Sequence, residues 1–207
     1  LGRKNSMFKE DMVARQSDLK NFLKGARILV VGAAGTIGQS VCKQLLNYSP
    51  KTLHAIDLSE NNMVELVRDI RSSFDSLDVD FKTYCIDIGS VEFSRFFEAQ
   101  APYDYIYNLS ALKHVRSERD PFTLIRMIKT NIVNSINLYQ LSSVTGTKKY
   151  FCVSTDKAAN PTNSMGATKL IMEQCLMGIS SSCEVSMARF ANVIFSDGSL
   201  LAGFNNR

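Results

Sequence analysis

An apolar run, Tyr150 to Val153, ends in Ser154, Thr155, Asp156 and Lys157, and the chain then reads AANPTNSMGATK to Lys169. Two hydroxyls, a carboxylate and two amines in one short stretch suit proton transfer, in which one group takes a proton and another gives one. A lysine beside Asp156 keeps that carboxyl ionised, whereas burial at the end of a core strand raises its pKa. The residues alone leave that balance open. They also leave open a plain surface ion pair between Asp156 and Lys157.

Those groups need a scaffold, and the chain supplies one upstream. Ile28 to Gly38 reads ILVVGAAGTIG: four apolar residues suited to a buried parallel strand, then Gly32, Gly35 and Gly38. A helical pattern follows, with Ile37, Val41, Leu45 and Leu46 on one face. Gly32 permits the tight turn and Gly35 lets a pyrophosphate approach the backbone. Gly38 lets the helix pack closely on the strand, so that N–H groups at the helix start, around Thr36 and Ile37, face the phosphates. About 20 residues further on, an acidic residue is expected to meet the adenosine ribose, and Asp57 stands there after Leu53, Ala55 and Ile56. Its charge repels a 2′-phosphate, which favours NAD and leaves NADP as the second choice. The bland alternative is a strand–helix connection with Asp57 as a helix cap. Beside a nicotinamide, the hydroxyls, carboxylate and lysines after Val153 suit proton transfer coupled to hydride transfer.

Strand patterns at Arg27–Gly32, Thr52–Asp57, Phe81–Asp87, Tyr105–Leu109, Lys149–Ser154 and Glu184–Arg189 alternate with helical tracts. The tracts are Thr36–Asn47, Glu60–Phe74, Val91–Gln100, Pro121–Val144 and Met165–Ser180. This alternation predicts an α/β fold, a Rossmann-like doubly wound parallel sheet with helices on both faces and ligand at the carboxyl ends of the strands. On that plan Asp87 and Ile88 lie near adenine. Leu109, Ser110 and Ala111 pass close to the cofactor, and Ser154 and Lys169 border it further along. Asn108 and Ser110 equally read as loop caps, and His114 reads first as an ordinary loop histidine. A polar arm with a helical tract from Met7 to Leu23 precedes the sheet. The expected division is therefore an arm over 1–26 and a nucleotide-binding domain over 27–207.

The composition, 45% hydrophobic and 21% charged over 207 residues, is that of an ordinary globular domain. A net charge of +4 without an aromatic-interleaved basic tract gives no indication of a nucleic-acid partner. The five cysteines form no C-x-x-C pair, so a reducing cytoplasm fits best. No metal site is expected, and no apolar run approaches the length of a membrane span.

The segments GAAGTIG, NLSALKHV, STDKAANPTNSMGATK and RFANVIFSDGS together resemble the extended short-chain dehydrogenase/reductases. More narrowly, they resemble the polysaccharide-biosynthesis family of nucleotide-sugar 4,6-dehydratases acting on UDP-N-acetylglucosamine. The superfamily pattern is Tyr-x-x-x-Lys, and Met165 stands at the tyrosine position before Lys169. A thioether cannot take a proton from a hydroxyl, so Asp156, or a water held by Ser154 and Thr155, has to replace the phenol. Larger membrane-anchored members of the family are similar in carrying methionine there.

The resemblance implies oxidation of the sugar at C4, elimination of water across C5 and C6, and return of the hydride to C6. Lys157 is then the base at C5 and Asp156 the acid at O6, with the roles exchangeable, in a dry, preorganised pocket. Lys169 holds the nicotinamide ribose, Asn131 supports the site through its backbone, and Lys113, Arg189, Asn192 and Ser196 approach the sugar nucleotide or the nicotinamide. A 4-epimerase or a non-catalytic NAD-binding module are the alternatives. The ends, Leu1 and GFNNR, read as cut. The expectation is a fragment, weak or inactive by itself, lacking most of a substrate domain. Its parent would be cytoplasmic or anchored to the inner membrane with this domain inside, and its oligomeric state is open.

Overall fold

The structure, a computed structural model, describes residues 8–74 and 76–193. Its strands are β1 (Arg27–Val31), β2 (Thr52–Asp57), β3 (Asp80–Cys85), β4 (Tyr105–Asn108), β5 (Lys149–Thr155) and β6 (Glu184–Phe190). They form one parallel sheet in the order β3-β2-β1-β4-β5-β6, so the chain reverses its direction of travel between β1 and β4. That reversal opens a crevice at the strand ends, the place where doubly wound sheets bind ligands.

β1 shows why the layers form. Its residues from Ile28 to Val31 are buried, and successive side chains face opposite sides. Ile28 and Val30 join Cys42, Leu45 and Leu46 of α3 (Thr36–Leu46) and Met63, Leu66 and Ile70 of α4 (Glu60–Ser73). Leu29 and Val31 join the opposite core, with Phe93 and Phe97 of α5 (Val91–Gln100), Leu138 and Tyr139 of α7 (Asn134–Val144), and Met172 and Leu176 of α8 (Ser164–Gly178). Each such side chain contributes on the order of 1.5–3 kcal/mol when fully buried. Helix starts are fixed locally: Ser59 accepts from Asn62 N–H and Ser90 from Phe93 N–H. Asp120 accepts from Thr123 N–H, with Pro121 opening α6 (Pro121–Ile128).

Two expectations are refined. The arm is two short helices, α1 (Lys9–Ala14) and α2 (Gln16–Leu23), because the chain leaves helical geometry at Arg15. Leu23 is the buried residue that ties α2 to the core. The tract 121–144 is not one α-helix either: a π turn, Lys129–Val133, separates α6 from α7. No helix among the described residues is long and apolar enough to cross a membrane.

Candidate active site and cofactor cleft

A cleft of about 300 Å³ lies over the β1–β4 junction. Gly32 and Gly35 line it from the first turn, Asp57 and Leu58 from the end of β2, Ile86 to Ile88 after β3, and Leu109 to Leu112 after β4. The glycines do different work. Gly32 has φ +74°, and a Cβ there would stand 2.6 Å from Ser110 N, so the turn passes directly over the strand beside it. A Cβ on Gly38 would stand 2.7 Å from the Ala33 carbonyl carbon, so α3 can seat on the turn only without one. At Gly35 a Cβ would meet nothing nearer than Gly32 O at 3.6 Å. The packing of the described residues does not demand glycine at 35, which leaves its backbone open to the close approach of a ligand. Gly35 is also the N-cap of α3, whose first turn carries neither a side-chain cap nor an acid. Such a helix start favours a diphosphate.

Asp57 completes the cradle. Its Oδ2 accepts from Ala34 N–H at 3.0 Å and its Oδ1 from Ser59 N–H at 2.9 Å, and each oxygen keeps lone-pair capacity for ribose hydroxyls. The cap of α4 itself is Ser59, so Asp57 braces the glycine turn and the start of α4 rather than capping the helix. Asp87 Oδ1 accepts from Gly89 N–H at 2.8 Å. These residues fit an adenine dinucleotide.

At the carboxyl edge of β5, Asp156 Oδ1 accepts from Thr155 Oγ1 at 2.9 Å, from Lys157 N–H at 2.9 Å and from Lys157 Nζ at 3.2 Å. The Thr155 hydroxyl and then the Lys157 ammonium hold the Asp156 carboxyl below its usual range. The balance left open by the residue order thus falls on the ionised side. The expected dry pocket is not formed by the described residues: the Asp156 and Lys157 side chains are 51% and 39% exposed. Met165 is 5% exposed in the first turn of α8, and Gly166 beside it packs so closely on Lys157 that a Cβ would stand 2.8 Å from the Lys157 carbonyl oxygen. Lys169 is buried, donates to Val153 O at 2.9 Å, and has its pKa pushed down to about 8 by burial. Ser154 Oγ is buried without a partner in hydrogen-bond geometry among the described residues, yet it lies near enough to Glu173 to help lower that carboxyl.

The Asn131 side chain is itself a structural tie. It is fully buried in the π turn, where Oδ1 accepts from Leu112 N–H at 3.0 Å and Nδ2 donates to Leu112 O at 3.1 Å and to Thr168 Oγ1 at 3.0 Å. One amide thereby ties the loop after β4 to α8. Asn108, 2% exposed, accepts from Ser110 N–H and Oγ and donates to Ser135 Oγ and Tyr150 OH, which is the loop-cap reading. Lys113 and His114 are exposed, and His114 precedes a 3-10 turn, Val115–Arg119. Asn192 lies exposed just after β6, and Ser196 lies outside the described residues.

Several lining or supporting residues carry no motif. Arg126, Thr130 and Asn134 face the cleft from α6, the π turn and α7. Asn134 is 4% exposed with Oδ1 unpartnered, and a Cβ at Gly89 would approach its amide to 2.7 Å. Glu118 Oε2 accepts from Ser164 N–H at 2.7 Å, capping α8 from another loop. Only the spacing 126, 130, 134 on one helix face offered a signal for any of them.

Comparison with known proteins agrees with this geometry. A family model described as polysaccharide biosynthesis protein matches residues 28–207. An uncharacterized membrane protein of Methanocaldococcus jannaschii is 36% identical over 191 residues, covering 89% of this chain and 54% of that protein. The UDP-N-acetylglucosamine 4,6-dehydratase (inverting) of Campylobacter jejuni is 32% identical over 190 residues, 87% of this chain and 53% of the enzyme. The X-ray structure of Pen from Bacillus thuringiensis superposes with a TM-score of 0.78 at 31% identity, over 89% of this chain and 56% of that one. The chain spans about half the length of these relatives. It belongs to the polysaccharide biosynthesis protein family, as its motifs led us to expect.

Proposed function

We propose that this chain is the cofactor-binding part of a nucleotide-sugar 4,6-dehydratase that uses NAD and takes UDP-N-acetylglucosamine. The observation that carries the reading is the ionised Asp156, held by Thr155 and paired with Lys157, together with a buried methionine at the position where a phenol would otherwise serve as base. Gly32, Gly35, Gly38, the start of α3 and Asp57 would hold the dinucleotide, with Asp87 and Ile88 at its adenine end and Leu109, Ser110 and Ala111 beside it. Bound there, NAD supplies reversible hydride exchange with the sugar, first at C4 and finally at C6.

The protein's own groups move the protons. Asp156, ionised at rest, takes the proton of the C4 hydroxyl as C4 is oxidised to the ketone. Once protonated, it no longer anchors the Lys157 ammonium by charge, which favours release of that ammonium's proton to solvent and leaves a free amine on Lys157. The 4-keto group acidifies the C5–H, and Lys157 accepts that proton. Asp156 passes its own proton to the departing C6 oxygen, water leaves, and a double bond forms between C5 and C6. Lys157 then returns a proton to C5 as C6 is reduced, so the sugar has lost water with no net redox change. Lys169 would donate to the nicotinamide ribose, and Lys113, Asn192 and Ser196 would meet the substrate. The reading places the domain in the cytoplasm.

A 4-epimerase relies on a phenol at the tyrosine position and would tolerate the buried Met165 poorly, and the adjacent Asp156–Lys157 pair favours elimination. The deciding experiment incubates the whole protein with UDP-N-acetylglucosamine in deuterated water and follows mass. Loss of water with one deuterium gained at C5 is expected, and Asp156→Asn and Lys157→Ala should each abolish it. Unchanged substrate despite NAD binding would point instead to a binding module.

A further inference from the structure

Lys169 and Glu173 lie one helical turn apart on α8, both buried, at 5% and 4% exposure. Opposite charges at that spacing lie within pairing reach. Here they do not pair. The Lys169 ammonium donates to Val153 O at 2.9 Å and has Met172 Sδ at 3.9 Å, and among the described residues no carboxylate lies within ion-pair distance of it. Glu173 is turned toward β6, where its Oε1 accepts from Arg189 Nε at 3.0 Å and its Oε2 from Arg189 Nη2 at 2.6 Å. This two-point contact uses the fixed fork of the guanidinium, which a single ammonium cannot match.

We propose that Arg189 is a positioning residue for Lys169: by holding Glu173 on the β6 side, it keeps the buried ammonium out of an ion pair and free to donate to the bound ligand. An ammonium has three protons, and a carbonyl plus a thioether leave at least one for the ribose of a dinucleotide. Without Arg189, Glu173 would be an unpaired buried carboxylate, a state costly enough to force rearrangement. The nearest cation on its own helix is Lys169. The pair would close, and the amine would be withdrawn from the site.

Among the described residues, the charged and titratable groups facing Lys169 are few. Cys152 on β5 is a thiol pushed up to about 12 by burial and therefore carries no charge near neutrality. Glu173 on α8 is held low by Arg189 and raises the Lys169 pKa, against the larger lowering by burial. Arg189 on β6 acts on Lys169 through Glu173. Closing the Lys169–Glu173 pair strengthens the raising influence directly.

The inference rests on reading Lys169 as a ligand-facing residue, and its test needs no ligand. Lysine labelled with ¹³C at Cε is incorporated into the chain, and the Lys169 resonance is assigned by its loss in Lys169→Met. The wild-type midpoint is expected near 8. Arg189→Met should raise it by at least about one pH unit. Adding Glu173→Gln to that variant should reverse the rise, and Arg189→Lys should leave the midpoint nearer to wild type than Arg189→Met does. Should Arg189→Met fail to fold, Glu173→Gln alone serves, with an expected fall in the midpoint. A midpoint unmoved by Arg189→Met, or by Glu173→Gln where that variant is used, overturns the proposal. NAD binding left unweakened in Arg189→Met, with these midpoints as expected, would instead count against the ligand-facing reading.

Discussion

The backbone N–H of Ala34 donates to Asp57 Oδ2 at 3.0 Å, so the carboxylate that ends β2 also holds the glycine turn that ends β1. The other oxygen accepts from Ser59 N–H at the start of α4. A residue read as a cofactor contact is thus a junction of three elements, and its substitutions have to separate the two roles.

Asp57→Asn keeps one carbonyl acceptor and removes the charge, whereas Asp57→Ala removes both. We expect Asp57→Asn to fold and to lose its preference for NAD over NADP by about tenfold, since a charge-assisted hydrogen bond is worth roughly 1.5–3 kcal/mol. Asp57→Ala should weaken both cofactors by loosening the turn. Calorimetric titration with NAD and NADP separates the outcomes, and an unchanged NAD/NADP ratio in Asp57→Asn would remove Asp57 from the ribose site.

The glycines give a sharper contrast. Gly38→Ala forces a methyl against Ala33 backbone atoms at 2.7 Å and should destabilise the fold by roughly 1–3 kcal/mol. Gly35→Ala meets only ordinary contact within the protein and should melt near the wild-type temperature. Its NAD affinity should nevertheless fall tenfold or more. Thermal melts and binding on the same two variants test the assignment, and normal NAD binding by Gly35→Ala would refute it.

Stability should also fall in acid through a group far from the cleft. His54, 1% exposed on β2, shares a 2.8 Å hydrogen bond between Nδ1 and Tyr103 OH, while Nε2 has no hydrogen-bond partner among the described residues and Asp80 Oδ2 stands 3.8 Å away. Burial lowers its pKa below 6.5, and the opposing pull of Asp80 is the smaller effect. The unfolded chain therefore binds a proton that the folded chain resists, and stability present above about pH 6.5 is lost as the pH drops below it. Urea unfolding between pH 7.5 and 5 should show the loss in the wild type and a flatter profile in His54→Gln. Parallel profiles would exclude His54 as the cause.

Much of this was legible because it is local. Four apolar residues before Gly32, a serine or an aspartate at a helix start, and an alternation of strand and helix patterns depend on neighbours a few positions away. STDK reads as one cluster because Ser154 to Lys157 are consecutive. Glu118 on Ser164, Arg189 on Glu173 and Gly89 against Asn134 join positions that only the folded sheet brings together. The break between α6 and α7 was hidden for another reason. The apolar spacing through Met127, Leu138 and their neighbours is compatible with a continuous helix, and a π turn leaves no residue type as its mark.

That turn behaves as a shim. A π turn accommodates one residue more than an α turn, so the segments on its two sides are offset by about 100° from the phase of an unbroken helix. Arg126 and Met127 lie on one side of the offset, Asn134 and Leu138 on the other, and both sides meet the cleft and the core. Removing a single residue from Lys129–Val133 would leave a better-formed α-helix and a worse protein, because either half could keep its bearing only by turning the other away.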